Sequence, residues 1–349
     1  LVVHHIAQSQ LDLPVTARVA GQVISLPVHP ALSAADLETV VTAVNEVAGA
    51  GAEWAMARGS AGLTLAIGAP PEASRMLDDF EGETTGSATG TVLVGPVSPR
   101  NAAALRRHLE WLRPCPLGTR TSAGLGDRLG LATPGHVRAV RAVGGIAAVA
   151  PIFPQQSIRE MTRTGRTPIE VMDDATWGMF AEGWTDGTGA DADHLKTTAD
   201  IDACLAVGFS MFTIDPGEHV DSAADTADAA TLRARATALP WTDLADSEDA
   251  MRRRYLGQSV VVEHLTIAFD EATLLRAAVK YGRAVAHVAR MARHLRRAAG
   301  PRLVELEVSV DETETPTSPA EHYWVANELN RLEVEWVSLA PRFVGRFEK

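Results

Sequence analysis

The chain has 349 residues, 46% hydrophobic and 22% charged, with a formal net charge of -12. That apolar content excludes a disordered polymer and supplies a large core, and the length suits two or three domains or one barrel with an appendage. The acidic balance argues against a general nucleic-acid or membrane-surface partner, because phosphate backbones and anionic lipids need a basic face, and it leaves room for a small anionic substrate held by local Arg or Lys. The cysteines, Cys115 and Cys204, form no disulfide or zinc spacing, which suits a reducing compartment. The apolar run Ile146–Phe153 is too short to span a bilayer and no signal peptide is evident, so a cytoplasmic location is expected. The chain starts at Leu1 without a methionine and stops at Lys349 just after a strand-like segment, which leaves open that it is a piece of a longer product.

Residues 1–118 alternate β-like runs (Leu1–Ile6, Ala17–Leu26, Gly62–Ile67, Thr91–Val94) with two helical patterns. The first helix, about Ala34–Ala48, follows Ser33 as N-cap, and the second follows Ser98-Pro99. This pattern predicts a small N-terminal α/β domain. His4 and His5 are neighbours in a strand and face opposite sides, which argues against a shared metal site. The stretch Gly82–Gly90 reads as a loop, and Pro114 and Pro116 mark the boundary near residue 118.

Over residues 119–349, six strand-like runs each end in a polar or charged cluster before a helix or long connection. They are Gly124–Leu131, Ile146–Phe153, Asp191–Lys196, Phe209–Asp215, Leu303–Asp311 and Val334–Arg342. Strands alternating with helices predict βα units and a parallel sheet, here a TIM-type (β/α) barrel two strands short of a closed eight. A helical insertion occupies about 221–300. It has helical patterns at about Ala229–Ala238 and Asp243–Leu256, a short β-like piece, and a long helix of about Glu271–Ala299 ended by Gly300-Pro301. The arginines of that last helix read as a solvated face.

In the fifth run, Val304, Leu306, Val308 and Val310 face one way while Glu305, Glu307, Ser309 and Asp311 face the other. The acidic parity ends in Asp311, Glu312 and Glu314 before a Thr-Pro turn, at the strand end where barrel enzymes build their sites; a solvated strand face is the plain alternative. Gly124–Gly130 lacks the ending of a phosphate loop and the spacing of a dinucleotide fingerprint. Its Asp127-Arg128 pair suits either a close backbone approach to a ligand or a structural salt bridge in a tight turn. In Gly189–Lys196, strand alternation puts Ala192, His194 and Lys196 on one side, and Asp215 to His219 close the next strand with an Asp, a turn and a His. Imidazole and carboxylates from successive strand ends make a mixed N/O site for a divalent cation (Mn, Zn, Co or Ni). His194 is the first candidate ligand, with Asp215, His219 and Asp311 in reserve.

At these residues the chain resembles the tagaturonate (fructuronate) epimerases of bacterial hexuronate catabolism. The resemblance rests on Gly126–Gly130 running through Thr133–His136, on Gln155–Glu160 with Arg163–Thr167, on Asp173–Gly178 and on Gly189–His194. It continues in Phe212–Pro216, Glu307–Pro316 and Ala340–Lys349, and so covers nearly everything after residue 118. It implies a metal-dependent interconversion of D-tagaturonate and D-fructuronate without a redox cofactor. The implied partner is a small-molecule ketohexuronate, not a nucleic acid or membrane, and a homo-oligomer is left open. Members of the family continue past the motif ending at Lys349, with segments that include a histidine for the metal, so the same tail is expected to supply the two missing strands.

The two sugars differ at the carbinol one bond beyond the carbon next to the ketone, where the hydrogen is not acidified. A retro-aldol step and re-addition on the other aldehyde face can invert that centre. Asp127 is the expected base, Glu307 the expected acid, and Arg128, Lys196 and Arg342 are candidates to clamp the substrate carboxylate. The rival readings are a metal-dependent sugar-acid lyase, a ketose epimerase working next to the carbonyl, and a non-catalytic sugar-acid-binding protein.

Overall fold

The computed structural model describes residues 23–26, 52–59, 62–87 and 90–345. The expectations for Leu1–Ile6 with His4 and His5, for most of Ala17–Leu26, for the helix at Ala34–Ala48 and for the end at Lys349 lie outside the described residues. The first described elements are β1 (Val23–Leu26), β2 (Glu53–Gly59), β3 (Gly62–Ala69), β4 (Glu83–Ser87), β5 (Gly90–Pro96) and α1 (Pro99–His108). Then come β6 (Ser122–Gly124), α2 (Thr133–Ala142), β7 (Ala150–Ser157), α3 (Ile158–Thr164), α4 (Pro168–Ala181), β8 (Gly189–Leu195), α5 (Thr198–Val207) and β9 (Met211–Ile214). They are followed by α6 (Ala229–Thr237), α7 (Glu248–Tyr255), β10 (Ser259–Val262), β11 (Leu265–Ala268), α8 (Glu271–Ala299), β12 (Glu305–Ser309), α9 (Pro319–Arg331) and β13 (Ser338–Ala340).

The chain divides into two compact units. One holds the described residues up to Pro114 with Thr121–Pro154 and Thr164–Thr188; the other holds Cys115–Arg120, Gln155–Arg163 and the chain from Gly189 onward. In the first unit a sheet runs β1-β2-β3-β5-β4, with β1 and β2 parallel and the other pairings antiparallel. The stretch Gly82–Gly90, expected to be a loop, contains β4, in which Thr84 pairs with Leu93. Its Glu, Thr, Gly and Ser residues suit an exposed edge strand, which needs no apolar alternation to be read. Strand β2 escaped the reading altogether. Ser98 caps α1 as expected, its hydroxyl accepting the Asn101 N–H, and Arg106, Arg107 and His108 sit in the last turn, where cations favour the helix dipole.

Beside that sheet, Leu65, Ile67, Leu105, Val137, Phe153, Trp177, Phe180 and Trp184 share one core. Two polar side chains are buried in the same unit as a pair, Arg106 and Asp173 at 2.7 Å. Helix α4 packs closely on the start of α2: a Cβ added at Gly178 would stand 2.6 Å from the Thr133 Cβ and 3.1 Å from the Pro134 Cδ. Gly178→Ala is therefore expected to lower stability by about 1–3 kcal/mol, overpacking outweighing the better helix propensity of alanine. A urea titration of both proteins measures it. The expected strand Gly124–Leu131 stops at Gly124, and Leu129 and Leu131 are exposed.

The remaining sheet is ordered β13-β12-β9-β8-β7-β6, which is sequence order once the β10–β11 hairpin is set aside. The pairings β6–β7, β8–β9, β9–β12 and β12–β13 are parallel, as the βα reading requires. Five of the six expected strands are present with shifted ends, and of the first, Gly124–Leu131, only Gly124 lies in a strand. Each connection carries a helix, and some of these helices have clear start and stop signals. Thr197 forms a capping box with Asp200 at the start of α5, and Gly208 ends α5 in the left-handed conformation at φ 102°. The expected insertion is present as α6, α7, the β10–β11 hairpin and the 29-residue α8, which Asp270 caps by accepting the Thr273 N–H. Among the described residues no helix is long and apolar enough to cross a membrane. Cys115 and Cys204 are unpaired, and burial pushes the Cys204 thiol up to about 12, so it stays protonated.

Candidate metal centre and carboxylate strand

Strand β8 does not keep its alternation. Ala192 pairs with Phe212 and Leu195 with Ile214, so three steps on β8 face two on β9, and His194 takes up the excess at φ 54°. Such a bulge re-aims side chains. Here it brings neighbours in sequence together: His194 Nδ1 lies 2.6 Å from Asp193 Oδ1. Alternation had set His194 on one side with Ala192 and Lys196, and the bulge interrupts that alternation between Ala192 and Leu195.

The opposite ring nitrogen, Nε2, is buried without a hydrogen-bond partner. It faces Asp311 Oδ1 at 3.7 Å and Glu312 Oε1 at 3.9 Å. Donor atoms of His194, Asp215 and Glu312 all lie within 4.8 Å of one another. His194 lies near the C-terminal end of β8, while Asp215 and Glu312 follow the C-terminal ends of β9 and β12, three neighbouring strands. One imidazole and two carboxylates suit a divalent ion such as Mn²⁺ or Zn²⁺, so the residues fit a metal. Asp215 is held by the Gly217 N–H at 2.8 Å, and Arg159 donates both guanidinium arms to Glu312 at 2.9 Å each. Both bonds orient a carboxylate, the usual task of groups behind a metal ligand. The Asp193 hydrogen bond, and then Asp311, raise the His194 pKa to about 10.

Along β12 the acidic face reads as expected. The Glu305 carboxylate accepts the Leu117 and Gly118 N–H groups; Glu307 lies 3.5 Å from the Thr213 hydroxyl; Ser309 bonds Asp311. Burial, reinforced by Asp193 and Asp311, raises the Glu307 pKa, whereas His194 holds Asp311 below its ordinary value. Behind Glu307, Thr213 donates to the buried Asp191 at 2.9 Å, and burial raises that carboxyl strongly.

Several anticipated residues are engaged elsewhere. His219 is not among the three clustered donors: its ring stacks on His287 with centroids 4.2 Å apart, and burial keeps both imidazoles readily neutral, His287 down to about 4. Asp311 flanks the triad while Glu312 joins it. Lys196 lies 2.7 Å from Glu218 and 3.9 Å from Asp215, at the centre's edge. The Arg342 N–H donates to the Thr317 hydroxyl at 3.0 Å, tying β13's end to the loop after β12.

Asp127 and Arg128 belong to the first unit. The Asp127 carboxylate accepts the N–H groups of Leu129 (3.2 Å), Gly130 (2.8 Å), Leu131 (3.1 Å), Ala132 (2.6 Å) and Thr133 (3.2 Å). Burial raises its pKa, but these N–H groups outweigh burial and hold it below the usual range. A carboxylate so occupied is a weak proton acceptor and a strong loop organiser. Asp127→Asn is expected to lower stability by about 1–3 kcal/mol, because an amide NH₂ then faces N–H donors. Unfolding in urea checks this; an unchanged midpoint with lost turnover would return Asp127 to the role of base.

Arg159, Asp193 and Glu312 join the cluster's contacts without having been expected from the sequence. Glu312 stood in the acidic cluster that was singled out, and Arg159 in a family motif block, but neither signal says which carboxylate an arginine far along the chain will hold.

A family model described as tagaturonate epimerase (UxaE) matches residues 55–349. The chain is 45% identical over 249 residues to the tagaturonate/fructuronate epimerase of Thermotoga maritima, covering 71% of this chain and 49% of that protein. It is similar to the native crystal structure of the fructuronate-tagaturonate epimerase UxaE from Cohnella laeviribosi, with a TM-score of 0.76 and 36% identity over 86% of this chain and 58% of that one. A glycerol-complexed crystal structure of the same epimerase gives a TM-score of 0.77 and 34% identity over 90% and 64%. The chain thus spans about half the length of the curated relative it matches.

Proposed function

Because the chain belongs to the tagaturonate epimerase family, we propose that it interconverts D-tagaturonate and D-fructuronate at the C-terminal ends of β8, β9 and β12, in a metal-dependent reaction without a redox cofactor. The six-stranded sheet is then part of a TIM-type (β/α) barrel, whose active sites lie at that end. The observation that carries this reading is the convergence of His194, Asp215 and Glu312. A divalent cation held there would polarise the substrate ketone and its neighbouring hydroxyl and stabilise the charge that develops on them.

The chain's own residues supply the proton traffic. On one face of β12 and its extension, burial shifts Glu307 towards holding its proton and His194 shifts Asp311 towards releasing one, the division of labour that acid-base catalysis needs. Asp311, half-exposed beside His194, takes the proton from the hydroxyl of the carbinol to be inverted. The bond between that carbon and the one next to the ketone breaks, leaving an aldehyde and an enediolate, whose electrons rest on the former ketone oxygen. The aldehyde turns over, the same bond re-forms on its other face, and a proton returns to the new alkoxide from Glu307. Reverse turnover runs through the same two groups with their roles exchanged. Lys196, at the edge of the centre, would meet the substrate carboxylate.

A coupled assay on tagaturonate with the full-length protein, with and without chelator, tests the reading. Turnover that chelation stops supports it, and no turnover with metal restored overturns it. Running the assay in D₂O tests the chemistry, since deprotonation at carbon writes deuterium into product whereas carbon–carbon cleavage and re-addition need not. Release of two three-carbon fragments instead of an epimer would make the protein a lyase.

A further inference from the structure

Lys280 sits in the middle of α8 with 0% of its surface exposed. Its ammonium has three donors and no acceptor. Each meets an acceptor on a different segment: Asp225 Oδ2 at 3.0 Å, the Pro316 carbonyl at 3.2 Å and Glu321 Oε1 at 3.4 Å. Asp225 closes the short 3-10 turn Ser222–Asp225 after β9, Pro316 lies in the loop between β12 and α9, and Glu321 stands in the first turn of α9. The neighbouring contacts repeat this pattern. The Lys280 carbonyl accepts the Asp221 N–H at 2.9 Å, Arg276 one turn earlier donates to the Ala224 carbonyl at 2.9 Å, and Tyr281 shares a hydrogen bond of 3.0 Å with Thr317. Thr315 bonds the same Asp225 oxygen that Lys280 holds.

The segment entering this clamp from β9 carries Asp215, and the loop entering it from β12 carries Glu312. A buried ion cluster is a poor device for stability alone, since well-packed apolar side chains commonly do as well, but it fixes geometry because any slip leaves a charge unpaired. We propose that Lys280 is a positioning residue for the metal centre: its ammonium pins the loop after β12 against the turn after β9 and so sets the spacing of Glu312 and Asp215. The inference rests on the metal-dependent reading above.

Calorimetric titration of the full chain with Mn²⁺ tests it, read alongside thermal melting. Lys280→Met is expected to weaken Mn²⁺ affinity by about 10- to 100-fold, the range typical of groups that hold metal ligands in place. Glu328→Gln is the control for general loosening. Glu328 is buried in the same unit, and its partners Arg254, Tyr255 and Arg331 lie outside the loop after β12. It should lower the melting temperature yet leave Mn²⁺ affinity within about twofold, being outside the set of groups behind the ligands. Unchanged affinity in Lys280→Met, or equal losses in both variants, overturns the proposal. Should Lys280→Met fail to fold, Tyr281→Phe removes one hydrogen bond of the same clamp and is expected to weaken binding about three- to tenfold. Unchanged affinity there overturns the proposal equally. Wild-type protein that takes up no Mn²⁺, Zn²⁺, Co²⁺ or Ni²⁺ overturns the metal reading itself, and this inference with it, a result plainly different from a variant that binds as the wild type does.

Discussion

His194→Ala is expected to abolish specific divalent-metal binding and to cut turnover by at least about 10³-fold, the several kcal/mol of charge stabilisation that a metal supplies. The imidazole is the one nitrogen donor of the cluster, and neither carboxylate partner replaces its buried Nε2. A second signature separates this from simple unfolding. In metal-free protein the His194 pKa stands at about 10, against an ordinary 6.5. A raised histidine pKa stabilises the fold fully below the unfolded value and loses that contribution as pH rises through the folded value. Melting in chelator from pH 6.5 to 10 should therefore show a decline in the wild type that is absent from the variant. Full activity of His194→Ala with no metal added would exclude the centre.

Glu307→Gln is expected to reduce turnover by roughly 10²-fold or more while leaving metal affinity unchanged, the size of effect associated with losing a proton-transfer group. The amide keeps shape and one accepting oxygen but cannot cycle a proton. Stability provides the sign check. Burial raises the Glu307 pKa above 4.5, so folding takes up a proton and the wild type loses stability as pH rises from the unfolded value through the folded one. Glutamine carries no such penalty, so the variant should melt no lower than the wild type at pH 8. Normal turnover in the variant would make Glu307 structural and move the acid to Asp191, whose carboxyl burial raises strongly.

The strand-helix rhythm after residue 118 was legible because apolar strand runs such as β9 close in polar residues, and helices such as α5 and α9 begin with capping boxes. The helical insertion was legible for the same reason, down to the Gly300 stop of α8. Strand β4 was not, because an edge strand made of Thr, Gly and Ser has no apolar face to betray it. The acidic face of β12 was readable from parity, and the motif blocks around it pointed to the family that the comparisons find. The exact donors were not readable. Parity assigns a face only while the register holds, and at His194 it breaks. Asp127 stands between glycines at a strand end, and five N–H groups meet its carboxylate, which no spacing rule foretells. His219 lies near Asp215 in sequence, but its ring stacks on His287, far along the chain on α8, a contact that the local sequence does not reveal.

The irregular step in β8 also sets two demands on the chain against each other. A protein lacking one residue between Ala192 and Leu195 would run β8 against β9 without interruption and without a histidine at φ 54°, a conformation that costs about 1–2 kcal/mol. Its sheet would be more regular, and its imidazole would no longer reach the two carboxylates. If the proposed centre works as described, a sturdier strand and a working centre pull β8 in opposite directions, and variants selected for ideal strands melt higher while losing metal binding.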